Sequence, residues 1–367
     1  MIYRKLAIGA LSVVVGGGIF ATATMVDLKK DPAIGSAVEP FYGLHQSGVE
    51  IDRQSNATLI AFDINEGVDK AAVARLMRLW TNDSAELTAG EPIIGDPQGE
   101  MAENPARLTI LIGYGYSLFQ KIGITDKWPI SEKAIPGYQI DRLEKRWSDG
   151  DLVVQITGDN PQSIFHAALV IERDASPFAR VRWQQRGFLD PAGVNTAEVS
   201  RNLLGQLDGT ANKAVASKEF DEIVWAKEGG LTNGTTMVVR RIRMALDTWN
   251  KVSTKSKSGV IGRSLEDGAL LESSSATAHQ GRAFTKGSAG IMRRGFNYDD
   301  NYLADGTRDA GLIFIAFQAQ LKNYLDIQSK LNAVDSLNRY TTPVGSALFI
   351  VPAGTQKGGY IGEAFFK

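Results

Sequence analysis

Three histidines, His45, His166 and His279, are the only imidazoles in a chain of 367 residues that contains no cysteine. The lack of thiols excludes disulfides, thiolate catalysis, cysteine-ligated zinc and iron–sulfur clusters. Any chemistry that needs several clustered imidazoles would have to draw on nearly all three; a site with one imidazole is easier to supply. His279 sits in a Ser/Thr/Ala-rich loop, where it is either a solvated side chain or a ligand. His166 lies in IFHAALVI, a helical pattern with apolar neighbours, and reads as packing; His45 lies in YGLHQSG. The stretch RNLLGQLDGTAN, residues 201–212, holds Asp208 in an Asp-Gly pair flanked by Gly205 and Gly209. Such a pair is a turn signal, and a carboxylate on a bend can also carry a proton. Arg293 and Arg294 stand side by side in IMRRGFNYDD, where by themselves they read as surface charges flanking a strand. Taken singly, none of these residues is specific; the case rests on their joint occurrence.

Composition bounds the rest. Hydrophobic residues make up 43% and charged residues 22%, as in a globular chain with enough length for two domains. A formal net charge of −1 leaves no basic excess to hold phosphates, which argues against nucleic acid as a partner. At the N-terminus Arg4 and Lys5 precede an apolar run from Leu6 to Met25, with Ala21-Thr22-Ala23 as a small-x-small cleavage pattern. The glycines at 16, 17 and 18 disfavour a soluble core helix by about 1 kcal/mol each. Residues 1–37 therefore read as a signal or membrane anchor with its linker, and the protein as exported.

The elements that must position the candidate residues follow a repeated order. ATLIAFDI, RLTILIGYG, DLVVQITG and RVRWQQRGF are strand-like; DKAAVARLMRLWTNDSAELT and PQSIFHAALVIERDA have helical spacing. The order β-α-β-β-α-β is the ferredoxin-like arrangement. It recurs in TTMVVRRIRM, ALDTWNKV, AGIMRRGFNY, GLIFIAFQ, LDIQSKLNAVDSLNRY and SALFIVPA. The expected fold is α+β: two tandem ferredoxin-like domains with antiparallel sheets, over residues 38–200 and 201–367. The connection from Ser253 to Phe284 is far longer than the usual loop of about 4–6 residues, which marks it as functional or disordered.

With these pieces in hand the sequence resembles the dye-decolourising peroxidases, haem enzymes of two ferredoxin-like domains. GQLDG fits the family's GxxDG motif, and GRSLEDGALL, AHQGRA, IMRRGFNYDD, DAGLIFIAFQ and GSALFIVPAG follow in the family's order. FYGLHQSGV resembles the opening of the EfeB-like subgroup linked to bacterial iron uptake. The resemblance implies haem b, bound mainly by the C-terminal domain, with His279 as axial ligand, Asp208 as distal acid–base residue and Arg293 as its cationic companion. Gly205 and Gly209 would let the backbone pass close to the macrocycle. Asp335 would hold the ligand's other ring nitrogen, and Arg263 would meet a propionate. Arg282 follows His279 by three residues where the family often has His-x-Arg, and only Arg4-Lys5 stands where exported members carry twin arginines.

The resemblance further implies hydrogen peroxide as oxidant and a small reductant or Fe(II) as donor, with a membrane iron permease and an iron-binding lipoprotein as partners, and it leaves a homo-oligomer open. NYDDNYLADG, with Asp299, Asp300 and Asp305, is either a site for ferrous ion or a solvated acidic loop. Two further readings remain beside the peroxidase: a deferrochelatase that takes iron from haem and leaves the porphyrin intact, and a non-catalytic haem- or iron-binding protein.

Overall fold

Strand residues that are buried on both faces need a layer on each side, and the first half of the chain builds this from period-two alternation. In β1 (Asn56–Ile64), Ile60, Phe62 and Ile64 face one core, while Ala57, Leu59 and Ala61 face another. The first core is closed by two helices, α1 (Lys70–Ala89) and, later in the chain, Pro161–Ala175. Asp69 caps α1 by accepting from the Ala72 N–H, and Gly90 ends it in the left-handed region at φ 80°. The chain continues through β2 (Thr109–Tyr114), a short α2 (Tyr116–Lys121), β3 (Leu152–Gly158), α3 (Pro161–Ala175) and β4 (Ala179–Phe188). Pro161 at the first position of α3 and the Asn160 cap start that helix.

The computed structural model describes residues 34–191, 199–283 and 290–367. The export segment read from the N-terminus lies outside them, and among the described residues no helix is long and apolar enough to cross a membrane. The second half runs through α4 (Lys218–Val224), β5 (Thr235–Met244), α5 (Leu246–Asn250), α6 (Thr254–Ile261), α7 (His279–Ala283), β6 (Met292–Arg293), β7 (Phe296–Tyr302), β8 (Arg308–Gln318), α8 (Leu321–Val334) and β9 (Thr341–Val351).

Both halves have the order fourth, first, third, second strand: β4-β1-β3-β2, and β9-β5-β8 followed by β6 and β7. This is the antiparallel sheet of a ferredoxin-like unit, so the expected α+β fold is present twice. The two half-sheets join at single residue pairs, Tyr114 with Ile350 and Phe188 with Asn297. Their facing sides share one core that includes Leu59, Leu111, Met237, Phe296, Ile315 and Phe349.

Three of the expected elements differ in the structure, and α2 and α4 were not among those expected. The predicted strand AGIMRRGFNY is interrupted at Arg294 and Gly295, although Arg293 opposite Ala316 and Phe296 opposite Ile313 keep one register with β8. A side chain at Gly295 would meet Leu312 Cδ1 at 3.2 Å, which accounts for the glycine in the gap. The long connection after residue 253 is not a structureless loop: it carries α6, ended by Gly262 at φ 85°, and α7. The last predicted helix starts earlier, at Leu321, and stops at Asp335, whose extended backbone (ψ 124°) breaks it before the short turn Ser336–Arg339.

Candidate active site

The site is built on the outer face of the second half-sheet. Alternation along β6 and β7 sends Met292, Phe296 and Tyr298 into the core between the half-sheets, so Arg293 points to the opposite face. Its neighbour Arg294 is buried with the core side, donating to Val49 O at 3.0 Å and to the carbonyls of Ile51 and Asp52. Burial, and then the charge of Arg107, bring the Arg294 guanidinium down to about 10. Two adjacent arginines thus do two jobs, one anchoring the loop at residues 49–52 and one facing the site.

Arg293 Nη1 donates to Asp208 Oδ1 at 2.9 Å, with both side chains about one-fifth exposed. Asp208 arrives there on a turn that its own segment holds shut. Asn202 Oδ1 accepts from the Leu204 and Gln206 N–H groups, the Asp208 N–H donates to Ser200 O at 2.9 Å, and Asn202 Nδ2 lies 3.5 Å from Asp208 Oδ2. Trp249, fully buried, ties the turn to the helical side by donating to Leu204 O at 2.8 Å. Gly205 and Gly209 have φ 79° and 107°, so their requirement is conformational. No described atom lies within 4 Å of a side chain built at Gly205.

The same turn leads to the histidine. Arg201 donates to the carbonyls of Leu265 and Glu266, and a side chain at Gly268 would meet Leu207. A side chain at Gly262 would meet Ala278 and Gln280, which flank His279. His279 opens α7, and its Nδ1–H donates to Asp335 Oδ2 at 2.6 Å. Asp335 is buried, and its other oxygen accepts from the Leu337 N–H at 2.8 Å. The carboxylate therefore breaks α8, caps the next turn and fixes the imidazole tautomer, leaving Nε2 as the nitrogen available to a ligand. Thr277 and Ser336 bond to each other through main chain and side chain, both at 2.8 Å, which locks the histidine segment to the aspartate segment.

Other expected residues fall differently. Arg263 donates to Gly268 O at 2.8 Å and has no carboxylate partner among the described residues. Burial first and the Arg293 charge second lower its guanidinium from the ordinary value. Arg282 turns to α8, where its Nη2 donates to Lys330 O at 3.2 Å. His166 is core, with Nε2 2.8 Å from Asp96 Oδ2. His45 stacks flat on Trp225 at 3.8 Å and donates from Nδ1 to Asn233 O. In the acidic loop, Asp299 pairs with Arg308, Asp300 pairs with Arg241, and Asp305 accepts from the Thr307 N–H. Among the described residues no group of three or more acids or histidines is arranged to hold a metal ion. Asn202, Asn212 and Trp249 were not singled out from the sequence. The two asparagines bracket the GQLDG motif, and that bracketing was the available signal.

Comparison with known proteins gives the chain a family. The family model "Dyp-type peroxidase, N-terminal" matches residues 46–189, and "Dyp-type peroxidase, C-terminal" matches residues 199–356. A dye-decolorizing peroxidase of Thermobifida fusca is 32% identical over 87% of this chain and 83% of its own length. A deferrochelatase of Escherichia coli K12 is 28% identical over 90% of this chain and 87% of its own. Among solved structures, a DyP-type peroxidase from Cellulomonas bogoriensis superposes with a TM-score of 0.87 at 36% identity, covering 91% of this chain and 99% of that one. Ferric DtpA from Streptomyces lividans gives 0.86 at 35% identity, with 91% and 98% covered. The matched models together span most of the sequence, and the chain belongs to the Dyp-type peroxidase family.

Proposed function

We propose that His279 would hold a haem iron through Nε2 and that Asp208 and Arg293 act on hydrogen peroxide. The enzyme is a haem-dependent peroxidase of the Dyp type. The observation that carries the reading is the pairing of an imidazole fixed at Nδ1 by a buried carboxylate with a separate carboxylate–guanidinium pair, on segments stitched to each other.

The residues present fit haem. His279 has Nδ1 engaged by Asp335 and Nε2 left to a ligand, the ordinary proximal donor being an imidazole nitrogen. Arg263 is a partly desolvated cation beside a second cation and, among the described residues, has only a carbonyl for a side-chain partner, which suits a propionate. When bound, haem supplies the iron at which the peroxide O–O bond breaks and the redox equivalents that the reductant later refills. Asp208 handles the proton. Its Oδ1 is engaged by Arg293, while among the described residues Oδ2 has the 3.5 Å contact with Asn202 alone and is the freer oxygen to take and return it. The Arg293 guanidinium offsets the negative charge that develops on the departing oxygen. Asp335 keeps the Nδ1 proton on His279, which orients the ring and leaves Nε2 to the ligand.

The test is direct. Purified protein loaded with haem shows a Soret band, which changes on adding peroxide and returns when a reductant is added. A chain that binds no haem contradicts the reading. Reductant candidates are dyes and Fe(II), the latter on the likeness to the iron-uptake subgroup, and the apolar N-terminal run supports export. A second reading, release of iron from haem, is favoured by the 28% identity to deferrochelatases over 90% of the chain. Free porphyrin after incubation with haem favours it; haem that persists intact through peroxide turnover favours the peroxidase.

A further inference from the structure

We infer that Asn212 is the positioning residue for Arg293, and that one peptide turn sets both members of the Asp208–Arg293 pair. The inference rests on the reading above, in which that pair acts on peroxide. β6 is two residues long and lies at the end of the strand order, next to β8 alone. The Arg294 N–H bonds to Ile315 O on β8, so by strand alternation the N–H and C=O of Arg293 point away from the sheet. An edge strand leaves such groups without a ladder partner. Here one side-chain amide takes both: Asn212 Nδ2 donates to Arg293 O at 2.7 Å, and the Arg293 N–H donates to Asn212 Oδ1 at 3.0 Å. A carboxamide carries a donor and an acceptor in one plane, as a neighbouring strand does.

Asn212 is also fixed relative to Asp208. Its N–H donates to Gly209 O at 2.9 Å, closing a turn that begins one residue after Asp208. The amide that grips the Arg293 backbone and the carboxylate that meets the Arg293 side chain are therefore held at the two ends of a five-residue span. Without the grip, the Arg293 peptide groups lose these bonds, and its backbone is held only through the bonds of its neighbours, such as Arg294 N–H to Ile315 O. Asn212 acts through Arg293 and is not a catalytic residue.

The experiment uses the haem-loaded full chain and the variants N212A, R293A, N212A/R293A and N212D. N212A keeps its haem content and Soret band but reacts with peroxide roughly 10- to 100-fold more slowly, the scale of a small misplacement of a catalytic group. It also binds cyanide or fluoride more weakly. The double variant is no slower than R293A, because Asn212 has nothing left to position. In N212D, protonation recreates a donor beside an acceptor, so its rate relative to wild type rises as pH falls. In the cofactor-free protein, the Arg293 amide exchanges hydrogen faster in N212A than in wild type. An unchanged peroxide rate in N212A with a slow R293A overturns the role of Asn212 and leaves the active-site reading intact. Additive losses in the double variant overturn it as well. An R293A that reacts at the wild-type rate overturns both.

Discussion

The two halves of the molecule share a strand order and differ in what covers their outer faces. In the first half, α1, a helix of 20 residues, and α3, one of 15, lie over the sheet. One continuous apolar core runs beneath them, from Phe62 and Trp80 to Ile156 and Ile171. In the second half the counterpart of α1 is α5, only 5 residues long, followed by the 8 residues of α6 and the 5 of α7. The core there is split into two smaller clusters, one around Trp249 and Leu337 and one around Leu321 and Tyr324. A fully covered sheet face has no room for a ligand; a face covered by short, capped segments does. The polar groups of the site, Asp208, Arg293, Arg263 and His279, all belong to the second half, where covering is least continuous.

That contrast can be broken from either side. The largest effect belongs to His279→Ala, which should abolish retention of haem, read as loss of the Soret band in protein purified after haem loading. Next, Asp335→Asn should weaken haem affinity or peroxidase rate by about 10- to 100-fold, since it weakens the carboxylate partner of a ligating imidazole. In the first half, Trp80→Ala should cost about 3–5 kcal/mol of stability, measured by denaturant unfolding. Trp80 is fully buried and donates to Ile171 O at 3.0 Å. The haem spectrum of the folded variant should be unchanged; a spectral shift would mean the halves are not separable in this way.

The smallest effect is a pH dependence confined to the first half. Burial first, and then the Asp83 charge and hydrogen bond, raise the Asp174 carboxyl to about 7. Its folded value lies above the ordinary aspartate value, so the fold favours the neutral form. The contribution to stability is complete below the ordinary aspartate range and is lost as pH rises through about 7. Unfolding free energy should therefore decline from the ordinary aspartate range, about pH 4, up to about pH 7 and level off above it, and Asp174→Asn should flatten that decline.

Most of the scaffold was legible because strands buried on both faces and amphipathic helices leave periodic signals. Asn56–Ile64, Pro161–Ala175 and Thr235–Met244 lie within one residue of the stretches that sequence patterning marks. What periodicity missed has local causes. Arg294 and Gly295 interrupt a strand because of what their positions must reach or avoid, namely the loop carbonyls at residues 49–52 and Leu312. Asp335 ends a helix because its two oxygens serve a neighbouring turn and a histidine 56 positions away. The candidate site was legible through motif resemblance more than through spacing. Asp208 and Arg293 lie 85 residues apart, and no short-range pattern links them. Asn212 was passed over because an asparagine after a Gly-Thr-Ala sequence looks like part of a turn, and its bond to the backbone of Arg293 exists only in the folded chain.

The central claim is that cofactor binding and peroxide chemistry are carried by different residues on the open face of the second half. Rapid mixing of the haem-loaded Asp208→Asn variant with hydrogen peroxide, followed in the Soret region, tests it most directly. The expected result is a resting spectrum and haem content like those of wild type, and a peroxide-dependent spectral change slower by about 10²–10⁴-fold, the usual contribution of a positioned acid–base group. A variant that reacts at the wild-type rate, or that loses haem in proportion to its loss of rate, would contradict it.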